Sequence, residues 1–401
     1  MTERLFYQDP YRRQFEARIV ERLMVGDRPG VILDRTCFYP ASGGQPHDTG
    51  ILGGIPVVDV FEREDDKAIV HVLASELEGE TVRGEIHWAR RFDHMQQHTG
   101  QHILSQAFLQ VLGAETVSFH LGAEASTIDV DKAPLTAAQL DEVEARANEV
   151  VFADRSVRTY FVGQEELTRL PLRKPPVVTG PIRIVEIEDF DYSPCGGTHC
   201  RRTGEVGLIK ITRAERRRQE TRVEFLCGWR ALADYRRKNR TVNELAQRFS
   251  VGTWELREAV ERLAAEAKAC RRELKAARER LLDYEAAELW AEAERCGDFR
   301  LVKRAFAGRS GDEVKRLAMR LAEREGCVAL LGLREEGKAR LFFARSADLA
   351  CDMGVLIGEA CRIVGGRGGG RPHLAQGGGP DAARIEEALD CAYRSLVAGI
   401  E

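Results

Sequence analysis

His98 and His102 stand four residues apart in HMQQHTGQHILSQAF, and Cys195 and His199 stand four apart in SPCGGTHC. On a helix the first spacing puts both imidazoles on one face, one turn apart, where they can serve a single cation. Gly196 and Gly197 predict a bent loop for the second pair, turning a thiolate and an imidazole toward one point. Three imidazoles and a thiolate suit zinc, whereas magnesium and calcium prefer oxygen. A histidine pair at this spacing is common without a metal; the added Cys-Gly-Gly-Thr-His segment makes it a metal signature in a non-secreted chain. Periodicity leaves alternatives open. His94 lies four residues before His98 on the same helical face, so His94/His98 competes with His98/His102. Cys200 competes with Cys195, although beside His199 it is hard for both side chains to meet one ion.

These residues need elements to hold them. Apolar residues Ile103, Leu104, Ala107, Phe108 and Val111 predict a helix over 91–112, with a metal face distinct from its core face. Gly100 inside it costs about 1 kcal/mol against alanine, so close packing is its expected purpose. Before this helix, strand-like runs at 31–37, 55–61 and 68–72, separated by Gly, Asp and Pro clusters, predict a small β-barrel or sheet module. After it, strands are expected at 117–121 and 127–130. A helix capped by the Thr136/Gln139 box should run to Phe152. Strands at 157–162, 182–187, 207–212 and 222–227 should complete a mixed sheet, the Cys195 loop coming off one strand end.

Farther on, apolar residues from Leu256 to Tyr284 recur four and three apart, predicting a long amphipathic helix over 254–290. It could pair with a helix over 231–249 or with a second copy of the chain. From about residue 300, strands alternate with helices, one of them capped by Ser310 and Glu313, as in an α/β sheet. GGRGGGRPHLAQGGGP predicts backbone N–H groups in unusual conformations beside Arg367 and Arg371, a nest for phosphate. It has no Walker lysine and no dinucleotide pattern.

Four ordered motifs, LDRTCFYPASGGQPHDTG, HTGQH, CGGTH and GGRGGGRPHLAQGGG, resemble the editing region and C-terminal domain of alanyl-tRNA synthetase over nearly the whole chain. The class II aminoacylation domain and its helical tRNA-binding domain are missing. The chain is therefore similar to a free-standing alanyl-tRNA editing protein of the long AlaX type. That resemblance implies an α+β protein of four modules: a β-barrel at 1–89, a zinc-dependent α/β editing domain at 90–230, a helical linker at 231–298 and a DHH-associated α/β domain at 299–401. It implies zinc held by His98, His102, Cys195 and His199, with His94 a bystander.

The resemblance also implies a reaction, hydrolysis of the ester in Ser-tRNA(Ala) or Gly-tRNA(Ala). Gly43, Gly44, Gln45 and Thr198 are then catalytic or substrate-binding candidates, with Gln45 the residue expected to touch substrate and a tight turn as the alternative for the glycines. Release factors use Gly-Gly-Gln on an ester at a tRNA end, but a tripeptide is a weak signal. Amino-acid discrimination falls on the strand with Ser118, Phe119 and His120, among which the residues do not choose. The basic stretch RAERRRQETR, with Arg213, Arg217 and Arg222, could hold acceptor-stem phosphates or form a solvated turn; Arg367 and Arg371 are further tRNA-binding candidates. Four protein ligands make a closed tetrahedral site, whereas direct water activation needs an open position. Zinc activation of water and zinc as an orienting brace both stay open. The alternative without turnover is a tRNA-binding protein with a structural zinc. A DHH-type phosphoesterase is disfavoured, because its successive aspartate motifs, including Asp-His-His, are not found.

Composition agrees. At 401 residues and 43% hydrophobic, the chain can bury two or three cores. No apolar run reaches the roughly 18 residues of a membrane span, and the first residues carry no secretory core, so a cytoplasmic location is expected. Ten scattered cysteines lack a disulfide-like framework, and a net charge of -4 confines nucleic-acid binding to local patches. A homodimer through the linker and C-terminal domain is the remaining expectation.

Overall fold

A computed structural model describes residues 2–173 and 181–398, which divide into two compact units at residues 248 and 249. The expected domain 299–401 thus ends three residues beyond the described chain. Among the described residues no helix is long and apolar enough to cross a membrane.

In the first unit six strands close into a barrel: β1 (Gln14–Val25), β2 (Arg28–Leu33), β3 (Gly50–Leu52), β4 (Ile55–Glu62), β5 (Ile69–Leu73) and β6 (Thr81–Ile86). Their order is β1-β2-β5-β4-β3-β6, and β6 returns antiparallel to β1 with Phe15 opposite Gly84. Alternation turns Phe15, Ala17, Val82 and Ile86 inward, where they meet Phe38 and Leu33. The barrel leads directly into helix α1 (Trp88–Leu112), which ends on Gly113 in the left-handed region and starts three residues before the expected 91.

Helix α1 is not amphipathic in the ordinary sense. From His94 through Ser105 every residue is buried. Its polar residues tolerate this because they bond to facing backbone: Gln97 accepts from the Cys227 N–H and donates to its carbonyl, and Gln96 donates to the Glu205 carbonyl. Gly100 meets its expected role. A Cβ there would lie 2.3 Å from Cys227 Sγ. Arg91 fixes the start of the helix to the barrel through a fully buried pair with Asp48 and bonds to the Pro10 and Cys37 carbonyls.

One mixed sheet was expected around α1; two antiparallel sheets are found. The strands β7 (Thr116–Leu121), β8 (Ser126–Val130), β12 (Ile209–Arg217) and β13 (Glu220–Cys227) form one in the order β12-β13-β8-β7. The strands β9 (Val157–Val162), β10 (Ile182–Ile187) and β11 (Asp191–Pro194) form the other. Strand pattern fixes which residues are extended, not which strands pair, and here every pairing is antiparallel, that of β8 with β13 joining segments far apart in the chain. Helix α2 (Ala137–Phe152) carries the expected capping box: Thr136 Oγ1 accepts from the Gln139 N–H and Gln139 Oε1 from the Thr136 N–H. The unit ends at Arg248, in the last turn of helix α3 (Gly228–Phe249).

The second unit begins with the long helix α4 (Leu256–Ala291) and contains a six-stranded sheet. Its strands are β14 (Glu294–Cys296), β15 (Phe299–Ala307), β16 (Cys327–Glu335), β17 (Lys338–Arg345), β18 (Arg367–Arg371) and β19 (Leu374–Gly379), ordered β14-β15-β16-β17-β19-β18. Helix α5 (Gly311–Ala322), capped by Ser310 and Glu313 as expected, joins the parallel pair β15 and β16. Strand β16 is buried on both faces. Cys327, Ala329, Leu331 and Leu333 pack with α5 and the end of α4, while Val328 and Leu330 pack with α6 (Met353–Ile363) and α7 (Ile385–Ala398).

The glycine-rich segment does not form the expected phosphate nest. It is the extended hairpin β18/β19, with left-handed backbone only at Gly365. The glycines serve close approach instead: a Cβ on Gly377 would sit 2.5 Å from both Cys361 Sγ on α6 and Gly368 Cα on the paired strand.

Candidate metal centre

His98 and His102 project from the middle of α1, and the loop after β11 brings Cys195 and His199 to them. One ligand atom from each lies within 4.8 Å of all the others. The Cys195 Sγ is 3.4 Å from His98 Nε2 and 3.4 Å from His199 Nε2. Zinc–sulfur and zinc–nitrogen bonds of standard length at a tetrahedral angle place those atoms about 3.6 Å apart. The donor set therefore fits zinc in both chemistry and spacing. His94, buried on the same helix, and Cys200 are outside the cluster. His94 Nδ1 has no partner among the described residues, and burial, with Arg90 and Arg230 nearby, pushes its pKa down to about 3.

Each imidazole is oriented from behind. His98 Nδ1 lies 2.9 Å from Gln45 Oε1, an atom that only accepts, so Nδ1 carries the proton and Nε2 faces the cluster bare. His102 Nδ1 meets Asp191 Oδ2 at 3.2 Å, and His199 Nδ1 meets Thr99 Oγ1 at 3.3 Å. Burial alone would raise the Cys195 thiol, but the electrostatic influence of the surrounding imidazoles, with bonds from His102 and His199, outweighs it and holds the thiol well below its usual range. Burial pushes His199 down to about 3, while for His102 the bonds to Asp191 and Cys195 overcome burial and raise it. The loop itself is clamped by Arg183, whose Nη1 donates to the Cys195 and Gly197 carbonyls at 2.9 and 2.8 Å.

Glycine is required where the loop crosses α1. A Cβ on Gly197 would lie 2.2 Å from His98 Cε1. The Gly43-Gly44-Gln45 loop arrives from the barrel and packs on β7, with Gly44 at φ +83° and its carbonyl accepting from the Leu121 N–H. Gln45 turns inward, away from open surface. It is 1% exposed, and its amide is spent on His98, the Thr198 N–H and the Thr198 hydroxyl. Thr198 is likewise buried and completes that network.

A cavity of about 300 Å³ opens on the cluster. His98, His102 and Cys195 form one wall, and Gly43, Ser118, Phe119 and Arg173 join others. The Phe119 ring lies 5.3 Å from the His98 ring. Ser118 donates to Asp129 Oδ2 at 2.6 Å, and Arg222 clasps the same carboxylate through Nε and Nη2, each at 2.7 Å. Arg222 is thus engaged within the sheet behind Ser118 rather than offered to phosphate. The basic stretch is not a loop but strand extension: β12 and β13 stay paired out to Arg217 opposite Glu220, and the reversal is confined to Arg218 and Gln219. Arg213 pairs with Glu215 at the surface, and Arg367 and Arg371 are exposed on β18. Asp191, Thr99, Arg183 and Arg173 escaped sequence reasoning, since common polar residues at no fixed spacing carry no signal.

Residues 182–224 match the family described as the threonyl and alanyl tRNA synthetase second additional domain, residues 298–397 the DHHA1 domain, and residues 11–90 the class II (A) tRNA synthetases. Alanine–tRNA ligase of Pyrococcus abyssi is 33% identical over 98% of this chain and 44% of its own length. The chain thus spans less than half the length of such ligases. The C-Ala domain of Aquifex aeolicus alanyl-tRNA synthetase is 29% identical, over 26% of this chain and 97% of that domain, with a TM-score of 0.25. Alanyl-tRNA editing protein AlaX-L of Pyrococcus horikoshii is 30% identical, over 99% of this chain and 98% of its own length. With its motifs, its zinc-type donor set and a full-length relative in agreement, the chain belongs to the alanyl-tRNA editing protein family of the AlaX-L kind.

Proposed function

We propose that this chain is a trans-editing hydrolase that cleaves the ester between serine or glycine and the terminal ribose of tRNA(Ala). The observation that carries the reading is the four-ligand cluster exposed on one side to a cavity, in a chain similar to AlaX-L over nearly the whole length of both. His98, His102, Cys195 and His199 would hold zinc, which would supply Lewis-acid polarisation and, where one ligand gives way or the site expands, a lowered pKa for water. The protein's own groups do the rest. Gln45, Thr99 and Asp191 fix the imidazole rings, Arg183 holds the loop, and Ser118 and Phe119 stand on the cavity wall where an aminoacyl group would lie.

For RNA contacts, Arg213, Arg217, Arg367 and Arg371 stay candidates, each at the surface. Arg222 enters the reading as a support for Ser118. A homodimer, a cytoplasmic location and the division at 1–89, 90–230, 231–298 and 299–401 belong to the same proposal. The test is hydrolysis of Ser-tRNA(Ala), Gly-tRNA(Ala) and Ala-tRNA(Ala) at catalytic protein concentration, with Cys195→Ala alongside. Loss of serine or glycine ester with the alanine ester spared and the variant inactive supports it. Zinc and tRNA bound with no turnover would favour a binding protein with a structural zinc.

A further inference from the structure

Behind His102 lies a second layer that the ligand set does not explain. Asp191, at the start of β11, has a fully buried side chain whose Oδ2 meets His102 Nδ1 at 3.2 Å. Its two oxygens also accept from Ser193 Oγ, at 3.1 and 2.9 Å. Arg173 closes the arrangement: Nε is 3.3 Å from Asp191 Oδ1, and Nε and Nη2 donate to Ser193 Oγ at 3.2 and 3.0 Å. Its backbone N–H donates to the Tyr192 carbonyl at 3.0 Å, pinning it along the same strand. Among the described residues lining the cavity, Arg173 is the one lysine or arginine.

We infer that Arg173 is a positioning residue for the metal centre, acting through Asp191 on His102. A fully buried carboxylate without a cation is costly and seeks another partner. With Arg173 Nε on one side and Ser193, itself held by the guanidinium fork, on the other, Asp191 has one orientation, and that orientation receives the His102 Nδ1–H and aims Nε2 at the other ligands. Arg173 reaches no ligand itself. Its effect runs through a single carboxylate, so its loss loosens one imidazole while leaving the other three donors placed. The proposal rests on the zinc reading of the cluster and is independent of which ester is cleaved.

The experiment compares wild type, Arg173→Met and Arg173→Lys as full-length proteins. Zinc affinity is measured by competition with a chromophoric chelator, and the cobalt(II)-substituted proteins are compared by their visible d–d spectra. Arg173→Met is expected to bind zinc more weakly, by no more than the roughly 10- to 100-fold that follows loss of a group bonded directly to a ligand, with an altered cobalt spectrum. Arg173→Lys, which keeps the charge without the fork, should recover part of the loss. Unfolding of the metal-free proteins separates misfolding from a metal effect. Where deacylation is measurable, kcat at limiting zinc should fall with KM unchanged. Wild-type zinc affinity and cobalt spectrum in Arg173→Met would overturn the inference, as would a raised KM alone, which would make Arg173 a substrate contact. Absence of deacylase activity in the wild type would sink the proposed function and leave the metal measurements to judge Arg173.

Discussion

Replacing Gly197 by alanine adds one methyl group at the point where the metal loop crosses helix α1. The new Cβ would lie 2.2 Å from His98 Cε1, 2.3 Å from His98 Nδ1 and 3.0 Å from Gln45 Oε1. Ordinary carbon–carbon contact is about 3.5 Å, so the ring or the loop must retreat by about 1.3 Å. The ring has little room. Its Nδ1 is bonded to Gln45 and its Nε2 faces the cluster, so the movement either breaks the first bond or carries the second atom out of position. Overpacking of this kind costs about 1–3 kcal/mol, and a displaced ligand about 10- to 100-fold in metal affinity. The neighbouring Gly196 provides the control. It is exposed, and a Cβ there meets only the Tyr7 hydroxyl at 3.4 Å, so Gly196→Ala should stay within about 0.5 kcal/mol of wild type. Urea unfolding of the metal-free proteins and chelator competition for zinc measure both effects. Equal stability and equal zinc affinity in Gly197→Ala would refute the steric argument and the placement of His98 with it.

Among the ligand candidates, His102→Ala or Cys195→Ala should abolish deacylation and zinc binding while His94→Ala keeps most of both; equal loss in all three would remove the ligand assignment. Arg91→Met strands Asp48 as an unpaired buried charge and should cost about 3–5 kcal/mol in chemical denaturation, with Asp48→Asn in the same chain restoring part of it. His71 is fully buried in the barrel, bonded to Thr36, and burial lowers its pKa to about 4. An unfolded histidine titrates near 6.5, so the folded state binds fewer protons between the two values. Its contribution is complete above about pH 6.5 and declines as pH falls toward 4, by up to about 3 kcal/mol; His71→Asn should flatten that share of the slope in urea midpoints at pH 7.5 and 5. In the second unit, Gly377→Ala should destabilise by about 1–3 kcal/mol because its Cβ meets Cys361 and Gly368, while Gly369→Ala, with open space around it, should be tolerated.

The metal ligands were legible because zinc demands particular residue types and helix and loop geometry demands particular spacings. The groups that orient them were not. Asp191, Thr99 and Gln45 meet their imidazoles across 89, 100 and 53 residues of chain, distances that no local pattern records. Helix α2 was readable from its box, and the amphipathic repeat gave α4. The mixed sheet failed because alternation marks an extended segment without naming its neighbour. The basic stretch misled for a related reason: charge reads as loop, yet β12 and β13 extend through it by backbone pairing that ignores side-chain type. The C-terminal glycines suggest unusual backbone in the sequence, whereas the fold requires the absence of a side chain there, and both needs select the same residue.

The amide of Gln45 also bears on how far this centre can be moved between scaffolds. It belongs to the barrel loop, yet the same Oε1 accepts from His98 on α1 and from Thr198 in the metal loop. A graft that carried only the histidine helix and the Cys-Gly-Gly-Thr-His loop into another protein would bring every ligand and leave behind the group that selects the tautomer of one of them. The portable unit is therefore three segments long, and truncation from the N-terminal side past residue 45 should compromise metal binding before it removes a single donor.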